Sequence, residues 1–146
     1  MPKISSLLNR ISRCQTAYRK TMLDEDFAPV YHAYALVICR HPGRTQDELA
    51  ASLCISKSTI ARGIEWLVEN GYVNREPKTD DRRSLLIYPT EKMLEIYPRI
   101  RDIADSWNEI LAKDISEQEL LLTYSVITRM AENAKNAVFK TGGDKR

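Results

Sequence analysis

The residues best suited to chemistry on a partner lie in two short runs. One is Ser56-Lys57-Ser58-Thr59 with Arg62 one turn on; the other is Lys78 followed by Asp81-Arg82-Arg83. Ser and Thr hydroxyls bond to base edges and phosphates alike, and an Arg fork matches guanine O6 and N7. At about 100° per residue on a helix, Ser58, Thr59, Arg62 and Glu65 share the face opposite Ile60, Ile64 and Leu67. Lys57 stands at the helix start, within reach of a phosphate. The unpaired amides after Thr45, beginning with Gln46, and after Ser56 can also hold phosphates. Arginines at a hairpin tip suit a narrow minor groove, whose shape they read more than its sequence. Asp81 could fix one of them through an ion pair. Each run alone is ordinary: a Ser-Lys-Ser-Thr start is a common cap, and an Arg pair is commonly solvated surface. Their order along the chain carries the weight.

That order requires particular elements. Ile4, Leu7, Ile11, Cys14 and Tyr18 form one stripe of a helix over 4–22. Pro29 opens a second helix over 30–40, apolar on most sides and therefore central. Thr45-Gln46-Asp47-Glu48 is a capping box for a short helix to about Leu53, with Leu49, Ala50 and Leu53 facing inward. Cys54-Ile55 is a tight turn. Ser56 caps a helix over 57–70, and Gly71 ends it. Residues 72–75 and 85–88 read as two strands, and the polar stretch 76–84, with Pro77, as a long basic loop between them. Thr90 caps a long helix to about Ala112, which Pro98 should bend or break. Its residues Met93, Tyr97, Ile100, Ala104, Trp107 and Leu111 step by four and three, the seam of a helix that meets a partner helix. After a second capping box at Ser116–Glu119, a final helix repeats the step through Leu120, Tyr124, Ile127, Ala131, Ala134 and Val138.

Short helix, turn, longer helix and basic hairpin make a winged helix-turn-helix. The fold class is thus mainly α with a small two-stranded β wing. Residues 1–29 are expected to form a first dimerisation helix, 30–89 the winged DNA-binding domain, and 90–146 the C-terminal dimerisation helices. The DNA-binding set is Thr45, Gln46, Ser56, Lys57, Ser58, Thr59, Arg62, Lys78, Asp81, Arg82 and Arg83. A winged-helix protein-interaction module without DNA binding would show a neutralised face, against which Arg62, Arg82 and Arg83 speak.

Composition bounds the alternatives. With 146 residues, 43% hydrophobic and 29% charged, the chain can bury a core. A net charge of +2 is too small to argue for nucleic acid by itself, so the placement of charge matters more than its sum. Three cysteines at wide spacings suit a reducing cytoplasm, and no signal peptide or membrane span is visible. No catalytic triad, phosphate-cradling loop or carboxylate pair stands out, so no enzyme and no cofactor is expected. Cys39, His41 and His32 match no metal-ligand spacing.

Over residues 11–134 the sequence resembles the MarR family of bacterial regulators. The resemblance is carried by Arg40-His41-Pro42-Gly43-Arg44-Thr45-Gln46-Asp47-Glu48-Leu49-Ala50, Ile55-Ser56-Lys57-Ser58-Thr59-Ile60-Ala61-Arg62, Leu67-Val68-Glu69-Asn70-Gly71-Tyr72-Val73 and the wing motif Asp81-Arg82-Arg83. It implies a triangular helical homodimer that binds double-stranded DNA at a pseudo-palindrome, usually as a repressor. Dimerising through N- and C-terminal helices is also what the resemblance implies, and the two seams agree with it. In such proteins the wing Asp, here Asp81, orders the loop, and the Arg, here Arg83, enters the minor groove. It also implies release by a small phenolic or lipophilic effector or by an oxidant. Tyr31, Tyr34 and Trp107, with Tyr97, are then candidate ligand-binding residues, although such rings equally fill a core or dimer seam. Cys14 is a candidate redox residue, although its place on the apolar stripe suits inert packing. The sequence departs from the family at Cys54, where Gly is frequent; at Gly63, where an apolar residue is usual; and at Lys78, Pro89 and Met93.

Overall fold

The computed structural model describes residues 3–23 and 26–139. Six helices and three strands follow in the order α1 (Ile4–Met22), α2 (Val30–Arg40), β1 (Arg44–Thr45), α3 (Gln46–Leu53), α4 (Lys57–Glu69), β2 (Val73–Lys78), β3 (Asp81–Pro89), α5 (Glu91–Ala112) and α6 (Glu117–Phe139). The chain divides into two compact units, Met1–Trp107 and Asn108–Arg146.

The first unit is built around α2. Its Tyr34, Ala35 and Ile38 are buried against Leu49 and Ala50 of α3, Ile60, Ile64 and Leu67 of α4, and Met93 and Ile100 of α5. Burying each large aliphatic side chain contributes roughly 1.5–3 kcal/mol, so this stripe-to-stripe contact is what holds the two short helices in place. The helix starts follow the sequence pattern. Thr45 and Glu48 form the complete capping box, Ser56 accepts the Thr59 amide, and Thr90 accepts the Met93 amide. Thr90 also donates to the Gly71 carbonyl at 2.6 Å, which pins the start of α5 to the end of the α4 turn.

The sheet differs from the expectation in two ways. It has three antiparallel strands, in the order β1-β3-β2, because Arg44 and Thr45 pair with Ile87 and Leu86. The hairpin is also longer than its apolar residues indicate. β2 runs to Lys78 and β3 starts at Asp81, leaving Thr79-Asp80 as the whole turn in place of a loop over 76–84. The physical reason is that β2 is an edge strand: Pro77 lies opposite Leu85 with a register shift before Lys78, where a missing amide costs little. Cross-strand pairing carries charged residues outward that propensity alone assigns to a loop.

Two further expectations change. Pro98 lies inside α5, and of the expected bend or break the helix shows no break, running from Glu91 to Ala112. Buried Met93, Ile100, Ile103 and Trp107 on either side of Pro98 hold the helix across the lost hydrogen bond. The α5 seam therefore meets the chain's own core over Met93, Ile100 and Trp107, while Leu111 is exposed. In the second unit, α6 begins with the Ser116–Glu119 capping box, whose bonds hold the Glu119 carboxyl below its ordinary pKa. None of the residues of α6 is buried.

Candidate nucleic-acid interface

Cys54 sets the angle between α3 and α4. It adopts the left-handed conformation (φ 53°, ψ 44°) that closes α3, and its amide bonds to the Ala50 carbonyl. A non-glycine residue in this conformation costs on the order of 1 kcal/mol. Gly63 has the opposite logic. A Cβ at this position would lie 2.6 Å from the Tyr34 hydroxyl, so the small residue makes room for the Tyr34 ring between α2 and α4.

The hydroxyls at the start of α4 form a linked set. Ser56 Oγ donates to Thr59 Oγ1 at 2.8 Å, accepts the Thr59 amide, and lies 3.3 Å from Ser58 Oγ. Ser56 is therefore engaged as a cap, and Ser58, Thr59 and Arg62 form the exposed face beyond it. Lys57 sits 3.7 Å from Asp47 of α3, with both side chains largely in solvent, a pairing worth less than about 1 kcal/mol and readily exchanged for a phosphate.

In the wing, the Asp81 carboxylate accepts the Arg83 backbone amide at 3.0 Å. In place of the expected ion pair to an arginine side chain, Asp81, directly after the turn, reaches the amide two residues on, the bond a short Asp side chain readily makes to its own backbone. Lys78, Arg82 and Arg83 are exposed. A groove of about 220 Å³ is lined by Thr45, Gln46, Asp47, Arg83, Ser84 and Leu85. The β1–β3 pairing brings Arg83 into this groove beside the N-terminus of α3. Sequence spacing, which separates these residues by 38 positions, held no signal for this juxtaposition.

Two features of the site were missed. Arg75 of β2 forms a 2.6 Å ion pair with Glu65 of α4. Trp66, on the flank of α4, stacks on Tyr31 at 4.2 Å and 8°, and on Tyr72 at 5.9 Å and 12°, with Phe27 edge-on to both Trp66 and Tyr72. The candidate ligand residues Tyr31 and Tyr34 meet in a T-shaped contact, whereas Trp107 contacts Tyr18 of α1. Tyr34 is almost fully buried.

Cys14 is exposed on α1, not packed away as its place on the apolar stripe indicates, because α1 buries none of its residues within the chain. Cys39 is half-buried, and burial pushes its thiol up to about 11. His32 is 1% exposed, and both its ring nitrogens are without a hydrogen-bond partner among the described residues. Burial first, and then the positive charge of Arg19, lower its pKa to about 4. Among the described residues no group of three or more His, Cys, Asp or Glu is placed to hold a metal, and no helix is long and apolar enough to cross a membrane.

Comparison with known proteins places this geometry. Residues 36–85, from α2 into β3, match the MarR family model. The uncharacterized HTH-type transcriptional regulator YybA of Bacillus subtilis is 24% identical over 110 residues, covering 75% of this chain and 73% of that protein. A Listeria monocytogenes protein described as a MarR-family transcriptional regulator, crystallised with a 26mer DNA, shares the fold with a TM-score of 0.91 at 24% identity, over 100% of this chain and 99% of that one. The crystal structure of MarR matches at 32% identity and a TM-score of 0.76, over 92% of this chain and 91% of that one. With a family model matched across the helix-turn-helix and wing, and that level of identity over nearly the whole length, the chain belongs to the MarR family of transcriptional regulators.

Proposed function

We propose that this protein binds double-stranded DNA sequence-specifically as a homodimer, with α4 as the recognition helix in the major groove and the β2–β3 wing in the adjacent minor groove. One observation carries the reading: Arg83, its backbone anchored by Asp81, lines one groove with Thr45 and Gln46, so that wing and helix N-terminus face the same way. Helix N-terminal amides and a guanidinium together suit a phosphate and a narrow groove. The exposed Ser58, Thr59 and Arg62 then read bases, Lys57 and Lys78 contact phosphates, and Ser56 holds the helix start. The Listeria monocytogenes relative, with DNA bound, supports the geometry.

A two-fold dimer suits a pseudo-palindromic operator, at which binding is proposed to repress; the exposed apolar residues Leu120, Tyr124, Ile127 and Val138 of α6 and Ile4, Leu7 and Ile11 of α1 are the proposed contact surface. A small phenolic or lipophilic effector is proposed to act at the Tyr31–Trp66–Tyr72 stack, where it would displace a ring that rests directly on the recognition helix.

The test is fluorescence anisotropy with a duplex selected from a random library by the native protein, titrated across a salt series. Affinity is expected to fall steeply with salt, and Arg83→Ala to weaken binding about tenfold. Binding no tighter than to random duplex of equal length would defeat the proposal.

A further inference from the structure

Glu65 lies three residues beyond Arg62 and so occupies the same exposed side of α4. A carboxylate there would repel DNA phosphates, yet it is not a lone charge: Arg75 Nη2 donates to Glu65 Oε2 at 2.6 Å. Arg75 sits in the middle of β2 on the strand face of buried Val73, and its ladder partner is Ile87, which is fully buried. Its Nε is buried, with no hydrogen-bond partner among the described residues. The guanidinium is therefore held half out of water by the Glu65 bond and its packing, and without Glu65 its better solution is to swing into solvent.

The placement of this pair matters because of what β2 carries. Lys78 is three residues from Arg75, about 10 Å along the strand. A two-residue turn then leads to Asp81, Arg82 and Arg83. The other edge of the hairpin is fastened by the β1–β3 ladder next to α3. One edge of the wing is thus tied by backbone bonds to β1, which leads into α3. The other meets α4 at its root, through buried Val73 and the Tyr72 amide bond to the Leu67 carbonyl, and further out through the Glu65–Arg75 ion pair. With the pair lost, the root stays fastened while the outer part of β2 gains freedom to turn.

We propose that Glu65 and Arg75 form a brace that sets the wing against the recognition helix, and that both are positioning residues whose effect on DNA affinity acts through Arg83. The proposal rests on the DNA-binding reading above. It also gives the sequence a reason for an acid on a DNA-facing side: the charge is spent on the wing.

A double-mutant cycle tests it. The duplex selected by the native protein is titrated against native, Arg83→Ala, Glu65→Gln and the double variant. Arg83→Ala is expected to weaken binding about tenfold alone and no more than about twofold once Glu65→Gln is present, since coupled sites are non-additive. A tenfold loss in both backgrounds overturns the brace. Arg75→Lys, which keeps a charge in reach of Glu65, should recover more affinity than Arg75→Gln; equal losses overturn it as well. Hydrogen exchange of the DNA-free protein is the second readout. Wing amides over 73–89 should exchange faster in Glu65→Gln while those of α3 do not change, and an unchanged wing overturns the brace. If no duplex is selected at all, the DNA-binding reading fails, and exchange alone still decides the brace.

Discussion

α5 and α6 are nearly equal in length and repeat the same four-and-three stepping of apolar residues, but the chain buries one stripe and leaves the other in solvent. In α5, Met93 and Ile100 have no exposed surface and Trp107 only 8%. In α6, Tyr124 is 76% exposed, Val138 67% and Ile127 44%. Periodicity says which residues share a stripe; it does not say what covers the stripe. α5 is covered because it starts directly after β3 and is pinned there by Thr90, which aims its apolar side at α2 and α4. α6 has no such neighbour among the described residues of its own unit, and an exposed apolar stripe of this extent suits the dimer surface proposed for it.

The same substitution in both helices gives the largest contrast. Ile100→Asp places an unpaired charge in a core without water and should cost more than about 4 kcal/mol, leaving no cooperative thermal transition by circular dichroism. Ile127→Asp should keep the helical spectrum and instead shift sedimentation equilibrium from dimer to monomer. A dimer that survives Ile127→Asp would mean that α6 is covered by something other than a second copy.

His32 sharpens the contrast from inside the buried half, where one residue gains nothing from burial. Its pKa is about 4 in the folded chain against 6.5 unfolded. Between these values the unfolded chain takes up a proton that the folded chain refuses, so stability falls as pH drops from 6.5 toward 4 and is fully present above 6.5. The loss should reach roughly 2–3 kcal/mol. Urea titrations at pH 7.5 and pH 4.5 check it: the difference should shrink in His32→Leu, and an undiminished difference would assign the acid sensitivity to other groups. His32→Leu should also be more stable than the native chain at pH 7.5, because it removes two unbonded ring nitrogens.

The legible parts of the molecule were those where a short-range rule decides the structure. Thr45 with Glu48, Ser56 with Thr59, Ser116 with Glu119 and Asn70-Gly71 are all settled within four residues, and each stands where spacing puts it. The helical faces of α3 and α4 were legible for the same reason. The length of the wing was not, because Glu76, Pro77 and Lys78 join the sheet through partners across the hairpin and not through their own propensity. The Glu65–Arg75 pair, the Arg83 groove and the Tyr31–Trp66–Tyr72 stack join residues of different elements, up to 38 positions apart from Thr45 to Arg83, which no local pattern records. The fate of the two heptad-like seams lies at the same level: it depends on which neighbours the fold delivers.

Gly63 extends the contrast to the tightest contact between α2 and α4. Gly63→Ala gains up to about 1 kcal/mol of helix propensity but drives a methyl to within 3 Å of the Tyr34 ring. Overpacking of this kind costs roughly 1–3 kcal/mol, so a net loss of about 1 kcal/mol is expected in urea denaturation. In a Tyr34→Leu background, where the ring is gone, the same change should be neutral or stabilising. A loss of equal size in both backgrounds would show that Tyr34 is not the obstacle.

The smallest effect belongs to the caps, and it separates folding from recognition in the exposed half of the helix-turn-helix. Ser56 bonds to the Thr59 amide and hydroxyl, so its side chain is already used within the chain. Ser56→Ala should destabilise by about 1 kcal/mol and Ser56→Gly by only a few tenths. If Ser56 acts on DNA only by holding the start of α4, the two variants should rank in affinity as they rank in stability, with the Gly variant close to native. Thr59→Val is the counterpart: it keeps the shape and the amide bond to Ser56 but removes the exposed hydroxyl, and with it the bond that hydroxyl accepts from Ser56 Oγ. Thr59→Val weakening the selected duplex while random duplex binding stays level would place base reading at Thr59 and capping at Ser56. Equal losses on both duplexes would move Thr59 into the capping role, and leave Ser58 and Arg62 as the residues through which α4 tells one sequence from another.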